Sequence, residues 1–210
     1  MTDTKPETAT RMRSAERREQ VLAAAASVFG ERGYVGATTD AVARAAGVSQ
    51  PYVVRMFGTK AALFEAVLAR SLDRLIEEFR SAIDESASEP EELPACIGRN
   101  YIALLADRGL LLSLMQAFML GADPEIGPIA RAGFRRVYVL LREEAGFSPE
   151  EATRFLSEGM MLNTLVGLRM AADWSDPVVR EMVEGVRPEK AIIMRDLASE
   201  SNPTASRLTV

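Results

Sequence analysis

The tightest constraint in this 210-residue chain is the run from Thr39 to Phe57, TDAVARAAGVSQPYVVRMF, where two short helical patterns are separated by little more than Gly-Val-Ser. Two helices that cross at so tight a turn leave almost no space between them. Ala43 is small where the second helix must come close, and Gly47 can take the left-handed backbone that the turn needs. Val48 fills the space beneath the turn, and Val42, Ala46 and Val53 form the mutual apolar contact. Gln50, Pro51, Tyr52, Val54, Arg55 and Met56 are left for the outer face of the second helix. In a helix-turn-helix that face enters the major groove of DNA with its N-terminal half leading, so this segment is expected to be the recognition helix.

The flanking segments supply the scaffold. A helix is expected from about Ala15 to Arg32, with Val21, Ala24, Ala25, Val28 and Phe29 on one stripe and Gly33 as its stop. Thr38 and Thr39 are candidate N-caps for the first helix of the pair, Ser49 for the second, and Thr59 for a long helix from Lys60 to about Asp84. The acidic, proline-bearing stretch from Glu85 to Pro94 reads as a loop. Further helices are expected at roughly Pro94 to Ala106, Arg108 to Leu120, Pro124 to Ala145 and Pro149 to Ala172, with a short one from Pro177 to Glu184 and a last turn around Ala191 to Leu197. Asp123-Pro124 and Ser148-Pro149 mark two of the starts, and Ser148 with Glu151 makes a capping box. No strand pattern or internal repeat appears. The expected fold is all-α, with a three-helix helix-turn-helix head and a C-terminal helical domain, about nine helices in all. The boundaries read as a disordered basic arm over 1–14, the head over 15–60, the body over 61–199 and a frayed tail over 200–210.

The net charge of -5 hides an asymmetry. Up to Lys60 there are nine Lys/Arg against six Asp/Glu, and beyond it 16 against 24. A basic front joined to an acidic body fits a chain that meets phosphate at one end only. Arg11, Arg13, Arg17 and Arg18 make the end of the arm basic, which suits either a floppy terminus or an arm that touches phosphate or the minor groove. Cys96 is the one cysteine and histidine is absent, so an intrachain disulfide and the mixed Cys/His zinc sites are excluded, and no metal or cofactor is expected. No catalytic residue is expected either, because GxSxG, P-loop, paired-glycine and H-E-x-x-H patterns are all missing. With no export signal and no apolar run near the ~20 residues that cross a bilayer, the expected location is cytoplasmic and away from membranes.

From Arg18 to Phe64 the blocks AAAASVFGERGY, TTDAVARAAGVSQ and FGTKAALF closely resemble the TetR family of one-component transcriptional regulators. About fifty residues carry the resemblance. It implies that Thr38, Thr39 and Lys60 hold phosphates, in line with the free N–H groups and partial positive charge of a helix start. With Gln50, Pro51, Tyr52 and Arg55 they make the expected contact set on double-stranded DNA. One departure stands out: many members carry Tyr-X-His-Phe where this chain has Val54-Arg55-Met56-Phe57. The phenol contact at position 54 is thereby lost. Tyr52 either replaces it from nearby or stacks on a thymine methyl, while Arg55 either reads guanine or binds phosphate.

The resemblance also implies a homodimer and a small-molecule effector. For the dimer interface the expected stripe is Phe155, Gly159, Leu162, Val166 and Met170, although the same stripe would suit an internal core helix. For a mostly apolar effector pocket the expected lining is Tyr101, Met115, Phe118, Met119, Phe134, Tyr138 and Asn163.

Overall fold

The computed structural model describes residues 5–105 and 107–186. Among them the fold is all-helical, with nine α-helices: α1 (Lys5–Gly36), α2 (Thr39–Ala45), α3 (Gln50–Phe57), α4 (Lys60–Glu85), α5 (Leu93–Leu105), α6 (Arg108–Met119), α7 (Ile126–Glu143), α8 (Pro149–Gly167) and α9 (Pro177–Val186). Single turns of 3-10 helix lie at Pro90–Glu92 and Met170–Asp173. The last turn expected around Ala191 to Leu197 and the tail over 200–210 fall outside the described residues.

Most boundaries follow from local chemistry. Gly33 breaks α1 with φ +74 and ψ 162, and Gly47 takes φ +64 at the turn after α2. The Thr38 hydroxyl accepts the Ala41 N–H at 3.1 Å, and the Thr59 hydroxyl accepts that of Ala62 at 3.0 Å, so both caps are made. At α8 the capping box is complete: Glu151 N–H reaches Ser148 Oγ at 3.1 Å, and Ser148 N–H reaches Glu151 Oε2 at 2.7 Å. Ser49 holds the N-cap position of α3 but makes no side-chain cap bond.

Three boundaries differ from expectation. The segment read as a disordered arm through residue 14 is helical from Lys5. Its Lys, Glu, Ala, Arg and Met are good helix formers, and Pro6 falls in the first turn, where a missing N–H costs nothing. α7 starts at Ile126 rather than Pro124, because the Asp123 carboxylate accepts the N–H groups of both Glu125 and Ile126 at 2.9 Å. α8 ends at Gly167, and Arg169 in the left-handed region (φ 56) opens the turn that replaces its expected last residues.

The described residues form two compact units. One comprises those up to Arg74 together with Arg108–Gly133. The helix-turn-helix therefore shares its unit with the first part of α4, with α6 and with the start of α7. Its core joins Val21, Leu22, Ala25 and Phe29 of α1 to Val42, Ala46 and Val53 of the pair and to Leu63, Phe64 and Val67 of α4. Phe64 stacks obliquely on Phe29 and Tyr34, with ring centroids 4.7 and 5.0 Å away. α6 lies close on α1. A Cβ on Gly109 would fall 2.8 Å from the Ser27 nitrogen, Gln116 Nε2 donates to Phe29 O at 2.7 Å, and Ser113 Oγ donates to Ala26 O at 3.3 Å.

The other unit comprises Leu75–Asp107 and the described residues from Phe134 on. Phe79 of α4 meets Tyr101 of α5 and Phe155 of α8 edge to face, at 6.1 and 5.9 Å, and Phe155 meets Phe147 at 5.9 Å. Leu162 and Val183 are fully buried, so α8 and α9 each turn an apolar face inward. Arg80 holds the Glu144 carboxylate with two bonds of 2.7 and 2.8 Å.

Candidate nucleic-acid interface

The expected contact residues lie in one unit, around α2 and along α3, with Lys60 at the start of α4. Val53 is wholly buried and fixes the rotation of α3 about its axis, which leaves Gln50, Pro51, Val54 and Arg55 exposed and Tyr52 half-buried. Gln50 Nε2 donates to Thr39 Oγ1 at 3.3 Å, so the starts of α2 and α3 are joined across the turn. The Arg55 guanidinium lies over the Tyr52 ring, 5.2 Å from its centroid, a stacking contact available to residues three apart on a helix. Arg44, by contrast, is paired with Asp40 at 2.7 Å.

Lys60 is built into the scaffold. Its Nζ donates to Tyr34 O at 2.9 Å and to Val35 O at 3.4 Å, and it sits 4.6 Å from the centroid of the Tyr34 ring. The ammonium thus ties the start of α4 to the turn that precedes Thr38. An ammonium has three N–H groups, so one remains after these two bonds. Burial, then the carboxylates of Asp123 and Glu125, push the Tyr34 phenol above its ordinary range, so the ring beside Lys60 stays neutral.

The N-terminal half of α1 contributes more than expected. An open cleft of about 490 Å³ is lined by Ser14, Arg17, Gly47, Val48, Ser49 and Tyr52, which brings α1, the turn and α3 together. Arg17 donates to Gln20 Oε1 at 3.1 Å, and Gln20 Nε2 in turn donates to Ala46 O at 2.9 Å. On the other side of the same stretch, the Arg18 guanidinium lies 5.2 Å from the Phe57 ring centroid. The sequence held one usable signal for Ser14 and Arg17, their spacing of three, which puts them on a shared helix face. Which way that face turns depends on the packing of α1 against α2 and α3.

The sequence model of bacterial regulatory proteins of the tetR family matches residues 21–67, the segment that runs from the core stripe of α1 into α4. Over that segment the chain is similar to the TetR family. The HTH-type transcriptional activator FasR of Mycolicibacterium smegmatis is 40% identical over 82 residues, which span 39% of this chain and only 37% of that one. With solved structures the likeness is one of fold. A TetR-like transcriptional regulator from Rhodococcus sp. RHA1 is 19% identical with a TM-score of 0.60, covering 90% of this chain and 96% of that one. The fatty acid degradation regulator FadR from Bacillus halodurans is 20% identical with a TM-score of 0.57, covering 85% and 94%.

The residues expected in the body lie on both units and differ in burial. Phe155, Leu162 and Val166 are at most 9% exposed and belong to the chain's own core. A Cβ on Gly159 would lie 3.8 Å from the Tyr101 ring, while Met170 opens the 3-10 turn after α8. Three of the five residues of the expected stripe are thus covered within the chain, since a buried apolar face satisfies the same periodicity whichever partner covers it, while Gly159 and Met170 are half-buried. Of the expected pocket residues, Met115, Phe118 and Met119 belong to the head's unit and Tyr101, Phe134, Tyr138 and Asn163 to the other. Phe118 packs against the head's core, and Met119 is 86% exposed rather than facing an interior. Tyr101 donates its buried hydroxyl to Asn163 Oδ1, and burial pushes that phenol far above its ordinary range.

Proposed function

We propose that this chain is a sequence-specific DNA-binding transcriptional regulator of the TetR family, a homodimeric repressor released from a palindromic operator by a small, mostly apolar ligand. The observation that carries the reading is the outer face of α3. Gln50, Tyr52 and Arg55 stand together there on a helix whose orientation Val53 fixes, with Thr39 bonded to Gln50 across the turn. In this reading Thr38, Thr39 and the third N–H of Lys60 hold phosphates, while Gln50, Pro51, Tyr52 and Arg55 meet the groove. One head of this size binds weakly, so two are needed on half-sites about one helical turn apart.

The surface best suited to join two copies is not the expected stripe. Met161 and Leu168 at the C-terminal part of α8 and Val178 and Met182 on α9 are 38%, 65%, 62% and 36% exposed, although all are apolar. They form the apolar centre of the proposed homodimer interface. For the effector, the half-buried Tyr101, bonded to the buried Asn163, supplies a polar group in a largely apolar interior.

Enrichment of bound duplexes from a random pool by the purified protein tests the reading. The expected product is a palindrome with half-sites about one turn apart, bound less tightly as salt rises. Recovery of no palindrome, together with duplex binding that is unaffected by Tyr52→Ala, would defeat it. An activator is a second reading, favoured by the likeness over 82 residues to FasR, a transcriptional activator. Transcription in vitro from a promoter bearing the selected site separates the two, because a repressor lowers the transcript and an activator raises it.

A further inference from the structure

We propose that the cleft between α1 and α3 is the seat of a DNA backbone phosphate, with Arg17 as the group that holds it, so that α1 is a third DNA-contacting element beside the helix-turn-helix. The inference rests on the DNA-binding reading above.

Its chemistry follows from the lining. Arg17 supplies one guanidinium, Ser14, Ser49 and Tyr52 supply three hydroxyls, and Gly47 and Val48 offer no side-chain charge. Among the described lining residues there is no carboxylate. Such a set suits an anion that accepts several hydrogen bonds and repels a cation. The Ser49 hydroxyl is available to it, since Ser49 stands at the N-cap position of α3 without making the usual cap bond. Arg17 is positioned before any ligand arrives. Its bond to Gln20, and the bond of Gln20 to Ala46 O, tether the guanidinium at the rim of the turn, which lowers the rotamer entropy lost on binding. Only one N–H of the guanidinium is spent on that tether, and the others can reach a phosphate.

Shape and place decide the source of the phosphate. The cleft is open and shallow rather than enclosed, which suits a passing strand better than a free small anion held on all sides. It also adjoins α3 through Tyr52, whose ring carries Arg55. When the outer face of α3 enters a major groove, a strand that borders the groove passes the cleft. Tyr52 then divides base contacts on one side from backbone contact on the other.

The test uses the full chain and its selected duplex. Arg17→Ala is expected to weaken binding to every duplex by a similar factor, to leave the preferred sequence unchanged, and to flatten the plot of log affinity against log salt by about one unit. A scan with single neutral methylphosphonates along the duplex is run on the unaltered protein and on Arg17→Ala. One linkage per half-site should weaken the unaltered protein when neutralised and have no further effect on the variant. This scan keeps the proposal falsifiable even where the variant folds poorly, because a scan of the unaltered protein with no sensitive linkage outside those assigned to Thr38, Thr39 and Lys60 overturns it. Unchanged affinity and slope in Arg17→Ala, with tight duplex binding by the unaltered protein, overturns it while leaving the DNA-binding reading intact. Failure of the unaltered protein to bind any duplex removes both. Titration with inorganic phosphate covers the other source: an Arg17-dependent site that fills with free phosphate and leaves duplex affinity unchanged overturns the assignment to DNA.

Discussion

Arg55 shows how one side chain can be assigned between two roles that its position alone leaves open. A guanidinium that binds phosphate works as a charge at the edge of the groove, whereas one that reads guanine must present two parallel N–H groups to O6 and N7. Stacking 5.2 Å from the Tyr52 ring centroid holds the Arg55 guanidinium, in the last turn of α3, beside another residue of the proposed groove face. That placement favours base reading. Arg55→Ala should therefore lose about 5- to 150-fold of the preference for guanine at one position of each half-site, with little change in salt dependence. Measured affinities for the four single-base variants of the site check this, and an unchanged preference combined with a flatter salt slope would reassign Arg55 to phosphate. Thr38 is assigned more simply. Because its hydroxyl caps α2 at 3.1 Å, Thr38→Ala should cost about 1 kcal/mol of stability in urea unfolding, whatever it also does at DNA. Residue roles of this local kind were legible in the sequence: Gly47, Thr38, Thr59 and Ser148 act within a few residues of themselves. The tether from Arg17 through Gln20 to Ala46 was not, since its Gln20–Ala46 bond joins residues 26 apart.

Helices were read well where a cap or a glycine marks them and less well in which face meets what. The stripe on α8 was found, and its burial is real, but a period of 3.6 says only that a face is apolar. Phe79 and Phe147 meet its Phe155 within the chain, and Tyr101 lies beside its Gly159, which nothing in the spacing of α8 could have said. The close seat of α6 on α1 was hidden for the same reason. A glycine in α6 reads as a weak point until its missing Cβ is found 2.8 Å from the Ser27 nitrogen. Gly109→Ala should thus destabilise the head's unit by about 1–3 kcal/mol through overpacking, although alanine is the better helix former. A lower urea midpoint checks this, and a rise would mean that α6 can shift freely. At α8, the Ser148 backbone N–H, then its side chain, hold the Glu151 carboxyl below the usual carboxylate range. A lowered folded value means that the stabilisation is present above the unfolded pKa, near 4.3, and is lost as pH falls through the folded one. The stability gap between the protein and Glu151→Gln should accordingly close on acidification from pH 7 toward pH 3, and a gap that widens would contradict the capping box.

For the molecule as a whole, the charge asymmetry and the exposed apolar residues point to different partners at different places. The positive excess up to Lys60 suits phosphate, and the acidic remainder, with 16 Lys/Arg against 24 Asp/Glu, would repel it. A second copy is the partner suited to Met161, Leu168, Val178 and Met182, because a stable two-fold interface needs an apolar centre inside a polar rim and about 800 Å² from each copy. Four side chains supply the centre but not the area, so the polar surface of α8 and α9 must form the rim. A charge placed in that centre meets its own copy across the two-fold axis, which makes Leu168→Glu doubly unfavourable to a dimer and nearly neutral to a monomer in which Leu168 is already 65% exposed. Sedimentation equilibrium should show a monomer for this variant. Affinity for the full palindrome should then fall to that for a single half-site, with half-site binding preserved because the head is untouched. A variant that stays dimeric would move the interface elsewhere, whereas one that becomes monomeric yet binds the full palindrome as before would show that two heads need not be joined to occupy it.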